Sequence, residues 1–267
     1  MGKTDLETIV SAVSGSRKYR TICPATIRRI ARRELANHGS VKVAIKETRR
    51  KLHQVYAAFE QPLDYNAAYD QLAAARSDAE FRAACRDLLG RHSSTRERVP
   101  ILDEFYPPIW AITGRPASLL DLGCGLNPLT IPWMDLPPGA RYHAYDIDGA
   151  RVDLLNRYLP LAGFPPLARC QDILCQPPDA PADVALLLKT SPCLDRQEPE
   201  GTRRVLASLR TRFVVVSFAV KSLSGREKGM MTHYQQQFLS LAKSQNWPVT
   251  RLAFATELVF VARKDEG

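Results

Sequence analysis

The stretch LLDLGCGLNPL, residues 119–129, decides the fold class. An apolar run followed by an aspartate and two closely spaced glycines is typical of a buried strand that turns toward a bound ligand. A dinucleotide-binding loop would continue as G-x-G-x-x-G, so that a pyrophosphate can lie against the N-terminus of the next helix. Asn127 and Pro128 break that pattern. The loop is therefore predicted to hold a ligand that has no phosphate at this position.

Downstream of this loop, short β-rich runs alternate with helical stretches. Such alternation predicts parallel βαβ units and a doubly wound sheet. The runs are ASLLDLG, RYHAYDID, ADVALLLK, RFVVVSFA, RLAFAT and LVFVAR, with one further short strand expected before Asp172. Thr256 and Glu257 lie between the last two runs, which form either a hairpin or one long strand, and the sequence leaves both open.

Upstream of the loop, apolar residues recur at helical spacing, and proline and glycine are sparse. Pro24 is placed for the first turn of a helix that has Ile27, Ile30 and Leu35 on one face. A second amphipathic segment is predicted to turn Val43 inward. One or two alanine-rich helices are expected to follow, ending near residue 90.

The fold class predicted from these two patterns is α/β, with an all-helical N-terminal domain before a Rossmann-like domain. We place the helical domain at residues 1–110 and the Rossmann-like domain at residues 111–267.

The positive charge of the chain is concentrated in its first part. Residues 1–100 contain 19 Lys and Arg against 11 Asp and Glu, whereas residues 101–267 contain 18 against 17. Within residues 15–51, 12 basic side chains accompany only 2 acidic ones. Such an excess favours a polyanionic partner, and we expect this basic domain to bind RNA.

No stretch approaches the roughly 20 apolar residues of a membrane helix, and the N-terminus lacks the apolar run of a signal peptide. We therefore expect a cytoplasmic protein with no membrane partner. Six scattered cysteines form no C-x-x-C pair. They are interpreted as reduced thiols, and no metal site is expected.

The D-x-G-x-G pattern resembles the first motif of class I S-adenosylmethionine-dependent methyltransferases. Asp146, which follows the second predicted strand, is suited to accept both hydrogen bonds of a ribose diol. Asp148 competes for this role, although the end of the strand favours Asp146. In such enzymes an acid after the third strand accepts a hydrogen bond from the adenine amino group. Here that acid is Asp172, and Ile173 would pack on the adenine ring.

Nearly the whole chain resembles one family, the 16S rRNA (guanine(1405)-N(7))-methyltransferases that confer aminoglycoside resistance. The GLNP sequence is itself a trait of that family, and S-x-S-G-R-x-K-G-M, at residues 222–230, is its most specific motif. The matching stretches are SRKYRTICPATIRRIARREL, RRKLHQVYAAF, RHSSTRER, LLDLGCGLNPL, YDID, QDIL, LLLKTSPCLDRQE, VVSFAVKSLSGREKGM and TELVFVARK.

The resemblance implies S-adenosylmethionine as cofactor and assigns site residues by position. Arg98, with Thr95 nearby, would bind the methionine carboxylate, to which a guanidinium can donate two parallel hydrogen bonds. The implied cofactor-binding residues are Thr95, Arg98, Gly123, Asp146, Asp172, Ile173, Lys189 and Gln197. The implied RNA-binding residues are Arg17, Lys18, Arg20, Arg28, Arg29, Arg32, Arg33, Lys221, Arg226 and Lys228. Asp195 and Glu257 are either functional or structural.

The implied reaction needs no catalytic base, because N(7) of guanine has a lone pair and no proton to lose. The implied partner is 16S rRNA in the assembled 30S subunit, with no obligatory protein partner. An alternative is a methyltransferase that acts on a different rRNA or tRNA nucleotide. A dinucleotide-dependent oxidoreductase and a non-catalytic RNA-binding protein belong to other functional classes. The broken glycine pattern argues against the oxidoreductase.

Overall fold

The computed structural model describes residues 3–57, 63–220 and 228–264. The first part of the chain is helical, as predicted. Its α-helices are α1 (Lys3–Ser14), α2 (Pro24–His38), α3 (Val41–Leu52), α4 (Tyr65–Ala73), α5 (Asp78–Leu89), α6 (Ser93–Arg96) and α7 (Leu102–Thr113). A π-helical turn at His53–Ala57 follows α3, and a 3₁₀ turn at Val99–Ile101 precedes α7.

The second part of the chain forms a seven-stranded sheet with the order β3-β2-β1-β4-β5-β7-β6. The strands pair in parallel except β7, which runs antiparallel to both β5 and β6. The strands are β1 (Ser118–Leu122), β2 (Arg141–Asp146), β3 (Ala168–Cys170), β4 (Ala182–Leu188), β5 (Thr211–Ala219), β6 (Val249–Ala253) and β7 (Glu257–Arg263). The helices of this part are α8 (Gly149–Leu161), α9 (Ser191–Gln197), α10 (Gly201–Ser208) and α11 (Lys228–Ser244).

The central strands are apolar at nearly every position because both faces of the sheet are covered. In β4, Leu186 and Leu188 join the buried cluster that contains residues of α4, α5, α7 and α8, whereas Ala185 and Leu187 join the cluster with residues of α10 and α11. Successive side chains of a strand point to opposite faces, so one apolar run serves two cores.

The N-terminal helices divide between two cores. Residues of α1, α2 and α3 form a buried cluster of their own, whereas α4, α5 and α7 share a cluster with the sheet. Helix α7 extends past residue 110 to Thr113, and the first strand begins at Ser118. The domain boundary at residue 110 stays a prediction. The two buried clusters divide the helices earlier in the chain, between α3 and α4.

The helical bundle α1–α3 is attached to the sheet by backbone hydrogen bonds close to the end of β2. The Cys23 amide donates to the Ile147 carbonyl at 2.7 Å, and the Gly149 amide donates to the Thr21 carbonyl at 2.7 Å. This attachment brings the N-terminus of α2 beside the acids that follow the second and third strands.

Several local predictions can be checked against these elements. The alanine-rich segment forms two helices, α4 and α5, and the last two strands form a hairpin, with the Phe254 amide donating to the Glu257 carbonyl at 2.9 Å. The inward orientation predicted for Val43 is wrong, because its side chain is exposed while Ala44, Thr48 and Leu52 are buried. Among the described residues, no helix combines the length and the apolar character needed to span a membrane.

Candidate functional site

A cavity lies where the sheet meets the N-terminal helices, at the C-terminal ends of β1, β2 and β4. This edge of an open parallel sheet is the usual ligand-binding position in doubly wound folds. All eight residues predicted to bind a cofactor line this one cavity. The structure thus brings together side chains from α6, the loops after four strands, and α9.

The floor of the cavity is the glycine loop that follows β1. Gly123 and Gly125 have φ angles of 65° and 53°, a region that side chains disfavour. A Cβ atom at Gly123 would lie 2.6 Å from Cγ2 of Thr190, and one at Gly125 would lie 3.2 Å from Cε1 of His92. The two glycines are therefore required by the close approach of neighbouring side chains as well as by the turn.

The next turn of chain explains why no third glycine is present. Residues Asn127–Trp133 form a 3₁₀ helix in place of the α-helix of a dinucleotide loop, and Pro128 lies near its start. The Asn127 amide group donates to Asp121 Oδ2 at 2.9 Å and accepts from Arg98 at 2.6 Å. This side chain therefore joins the aspartate of the D-x-G-x-G motif to a residue of the RHSSTRER segment.

Asp121 is buried under the loop. Burial raises the pKa of its carboxyl group to about 6, although hydrogen bonds donated by Tyr142 and Asn127 oppose that shift. The Tyr142 hydroxyl lies 2.5 Å from Asp121 Oδ2. Asp121 is 1% exposed and belongs to the lining of the cavity, where its carboxylate supports the loop by accepting hydrogen bonds from Asn127 and Tyr142.

A buried ion-pair network lies at one end of the cavity and includes Arg98, Lys189 and Glu257. Arg98 donates to both carboxylate oxygens of Glu257, at 3.1 and 2.6 Å. The Lys189 ammonium lies 3.3 Å from Glu257 and 2.7 Å from Glu97. Burial alone would raise the pKa of Glu257, but the two cations outweigh it and the pKa is lowered. The sequence left the role of Glu257 undecided. In the structure Glu257 holds Arg98 and Lys189, two predicted cofactor-binding residues, in place.

Two properties of this network bear on ligand binding. Among the described residues Arg98 donates three hydrogen bonds, from Nε and its two terminal nitrogens, which leaves two of its five N–H groups for other acceptors. Lys189 has a φ of 60°, which for a non-glycine residue indicates local strain of the kind found near functional sites. Its ammonium also donates to the Ser94 carbonyl at 3.0 Å.

The two aspartates that competed for the ribose position have different surroundings. Asp146 lines the cavity, and its carboxylate accepts from the Gly125 amide at 2.8 Å and from Arg151 at 3.0 Å. Asp148 caps α8 and accepts from the hydroxyls of Tyr56 and Tyr65 at 2.9 and 3.0 Å. Asp148 is thus committed to joining the N-terminal helices to the sheet, which favours Asp146 as the ligand residue.

At the other end of the cavity lie Asp172 and Ile173, both buried. Arg29 of α2 contacts Asp172 with Nε at 3.0 Å from Oδ2, and it also contacts Gln197 at 2.6 Å. Arg29 was expected to bind RNA, but in the structure it contacts two predicted cofactor-binding residues. Its side chain is 16% exposed and faces the cavity wall.

The other predicted RNA-binding residues are distributed over the outer surface of the helical part. Arg17, Lys18, Arg20, Arg32 and Arg33 are exposed, and Arg28 pairs with Glu7 at 2.9 Å on the surface. Arg33 also donates to the backbone carbonyl of Gln197. Lys221, Arg226 and the side chain of Lys228 lie outside the described residues, as does most of the SGREKGM motif. RNA binding by these residues stays a prediction.

Three residues that support the site were not assigned a role from the sequence. Asn127 and Arg151 hold the loop and Asp146, and His92 packs against Gly125. Asp195 accepts from the Thr202 amide and hydroxyl at 2.9 Å each, a structural contact at the start of α10. The signal for Arg151 was its place in the first turn of the helix that follows Asp146 and Asp148.

The strand order with a single antiparallel strand, together with the glycine loop and the acid after β2, defines a class I methyltransferase fold. Residues 15–261 match the model of the family described as "Ribosomal RNA methyltransferase (FmrO)". The chain belongs to this family.

Relatives of known name agree with this assignment. The chain is 40% identical to the 16S rRNA (guanine(1405)-N(7))-methyltransferase of Micromonospora rosea, over 98% of each chain. It is 40% identical to the enzyme of the same name from Micromonospora echinospora, over 97% of each chain. Among solved structures, the 16S rRNA methyltransferase RmtF in complex with S-adenosyl-L-homocysteine has a TM-score of 0.84 and 31% identity, with 99% of each chain covered.

Proposed function

We propose that this protein transfers a methyl group from S-adenosylmethionine to N(7) of guanine 1405 of 16S rRNA, in the assembled 30S subunit, the activity named for its Micromonospora relatives. The observation that carries the proposal is the convergence of all eight predicted cofactor residues on one cavity. Because those residues come from segments far apart in the chain, their meeting in one place supports a common ligand.

The shape and the charges of the cavity suit S-adenosylmethionine. The glycine loop lets a ligand approach the backbone of residues 123–125 closely, which suits an amino acid and a nucleoside without phosphates. Asp146 lines the middle of the cavity, and Oδ2 of its carboxylate, which accepts from the Gly125 amide, keeps a lone pair for a ribose hydroxyl. The same residues would hold S-adenosylhomocysteine, which is the ligand of RmtF.

The two ends of the cavity differ in the groups that they offer, which orients the ligand. At one end Arg98, which is paired with Glu257, has two further N–H groups that can bind the methionine carboxylate. Thr95 lies beside them, with its hydroxyl donating to the Leu89 carbonyl at 2.7 Å. Asp172 at the opposite end can accept from the exocyclic amino group of adenine, and Ile173 supplies an apolar surface for the ring.

The methyl transfer requires little from the side chains beyond the alignment of the two reactants. When bound, S-adenosylmethionine supplies an electrophilic methyl group on a sulfonium sulfur. The lone pair of guanine N(7) would attack this methyl group while its bond to the sulfonium sulfur breaks, which would leave S-adenosylhomocysteine. No general base would be needed, and the protein would hold the two reactants in line. Cys124, which lies in the glycine loop, is no candidate nucleophile, because burial raises the pKa of its thiol well above the ordinary value.

The exposed arginines of α2 and the preceding turn would bind phosphates of the rRNA and fix the docking of the enzyme. A base that is paired or stacked must leave its stack to reach a cavity of this kind. An extended basic surface is suited to the large folded target that a 30S subunit presents. A methylated, cationic guanine in the decoding site would protect against 4,6-disubstituted deoxystreptamine aminoglycosides.

The test is to incubate purified 30S subunits with the protein and S-adenosylmethionine, and then to locate N(7)-methylguanine by reduction and aniline cleavage. We expect one new cleavage at guanine 1405 of 16S rRNA, in the 30S subunit and not in the free rRNA. Cleavage at another rRNA nucleotide, or methylation of tRNA, would support the alternative methyltransferase and overturn the substrate assignment. No methylation of any RNA would overturn the proposed activity.

A further inference from the structure

Among the described residues, Arg29 is the one predicted RNA-binding residue whose guanidinium contacts Asp172, a predicted cofactor-binding acid. It lies in the middle of α2 and reaches three side chains of the other part of the chain. Its terminal nitrogens contact Gln197 at 2.6 Å and Glu198 at 3.1 Å, and its guanidinium contacts Asp172 through Nε and NH2 at 3.0 and 2.9 Å. A phosphate-binding arginine would present this fork to solvent.

Both carboxylate oxygens of Asp172 are held by the protein. Oδ1 accepts from the Leu174 amide at 2.9 Å, and Oδ2 accepts from Arg29. Asp172 is 3% exposed, so its charge depends on a partner for compensation. Each carboxylate oxygen has two lone pairs, and Oδ1, which accepts from the Leu174 amide, keeps one for a further donor, whereas Oδ2 is contacted by two nitrogens of Arg29.

We infer that Arg29 is a positioning residue for the nucleobase of the cofactor. It pairs with the buried Asp172 carboxylate and fixes its orientation, so that the carboxylate can accept a hydrogen bond from the exocyclic amino group of adenine. This inference rests on the proposed function, because it needs the adenine of S-adenosylmethionine at Asp172. Arg29, a residue of the N-terminal helical bundle, would thus hold a side chain of the cofactor cavity in position.

A structural role for Arg29 must be separated from this one. Its contacts with Gln197 and Glu198 also join α2 to α9, and their loss could disturb the whole cavity wall. A disturbed wall would weaken the binding of every ligand of the cavity. Loss of orientation at Asp172 would weaken only ligands that donate a hydrogen bond to it. A pair of ligands that differ only at position 6 of the purine therefore distinguishes the two roles.

The experiment measures, by titration calorimetry, the affinities of S-adenosylhomocysteine and of its 6-deamino analogue, in which a hydrogen atom replaces the 6-amino group of the purine. We expect Arg29→Gln to weaken S-adenosylhomocysteine binding about tenfold, since a hydrogen bond to a charged group is of that order. The 6-deamino ligand should bind the wild type more weakly and be changed less than about twofold by the substitution. Arg29→Lys, which keeps the charge but loses the fork, should give an intermediate loss.

Arg28→Gln is the matched control. Arg28 is an arginine of the same helix as Arg29, and among the described contacts its guanidinium forms only a surface pair with Glu7. We expect it to leave both affinities unchanged. Equal weakening of both ligands by Arg29→Gln, or no weakening of either, would overturn the inference while leaving the proposed cofactor intact. A wild-type protein that binds neither ligand would overturn the proposed function and the inference together.

Discussion

Substitution of Gly123 by alanine tests why the first loop needs a glycine at this place. Gly123 has a φ of 65°, and the new Cβ would lie 2.6 Å from Cγ2 of Thr190. Two costs are therefore combined. The left-handed backbone costs an alanine about 1–2 kcal/mol, and forcing a methyl group into a packed site costs about 1–3 kcal/mol more.

Two further variants separate these costs. Gly139 has a φ of 77°, and a Cβ added there would have nothing within 4 Å, so Gly139→Ala should show the backbone cost alone, about 1–2 kcal/mol. Thr190→Ser removes the Cγ2 atom but keeps the hydroxyl, which lies 3.2 Å from the Leu188 carbonyl. The double variant Gly123→Ala/Thr190→Ser should therefore regain most of the steric cost and resemble Gly139→Ala.

The assay is urea unfolding followed by tryptophan fluorescence, with the free energies compared in a double-mutant cycle. We expect a favourable coupling between the two substitutions of about 1–3 kcal/mol. A coupling near zero would show that Thr190 moves away without cost, and the steric argument would then be wrong. A loss in Gly139→Ala as large as that in Gly123→Ala would show that the backbone conformation alone accounts for the effect.

Three further substitutions test the surroundings of the cavity. Asp148→Asn should lower the free energy of unfolding by about 1–3 kcal/mol because it weakens buried hydrogen bonds, and its affinity for S-adenosylhomocysteine, measured by calorimetry, should stay within twofold of wild type. Asp146→Asn should instead lose affinity for this ligand. The reverse pattern would contradict the assignment of Asp146 to the ribose. Burial raises the pKa of Asp121 from 3.8 to about 6. The folded protein therefore retains a proton that the unfolded chain releases. This proton stabilises the folded state by about 3 kcal/mol at low pH, and that stabilisation is lost as the pH rises from about 4 through 6. The stability of Asp121→Asn relative to wild type, from urea unfolding at several pH values, should rise over that range, and a constant difference would refute the assigned shift. Glu257→Gln should destabilise the fold by about 3–5 kcal/mol, because Arg98 would keep a buried charge without its carboxylate, and a thermal midpoint equal to that of wild type would rule out this dependence.

The strands and the cavity could be predicted because they depend on local signals. Each strand is a short apolar run bounded by loop residues, and the acids that follow β2 and β3 lie at the same edge whatever the rest of the chain does. The sequence indicates less clearly which face of a helix is buried. In α3 the buried residues are Ala44, Thr48 and Leu52, so the inward face begins one position after Val43. A small alanine gives a weaker signal than a valine, although it packs more closely between helices.

The supporting contacts could not be predicted, because the same side chain serves different partners according to where the fold places it. In the sequence Asn127 breaks a glycine pattern, yet in the structure its amide joins Arg98 and Asp121, which lie far apart in the chain.

Arg29 shows the same limit most clearly. A guanidinium binds phosphate and carboxylate through the same two-pronged geometry, so an arginine-rich helix face is equally consistent with either partner. Helical periodicity places Arg29 beside Arg28 but says nothing of an aspartate 143 residues later. The N-terminus of α2 is fixed beside β2 by two backbone hydrogen bonds, and in this arrangement Arg29 faces Asp172 while Arg32 and Arg33 remain exposed.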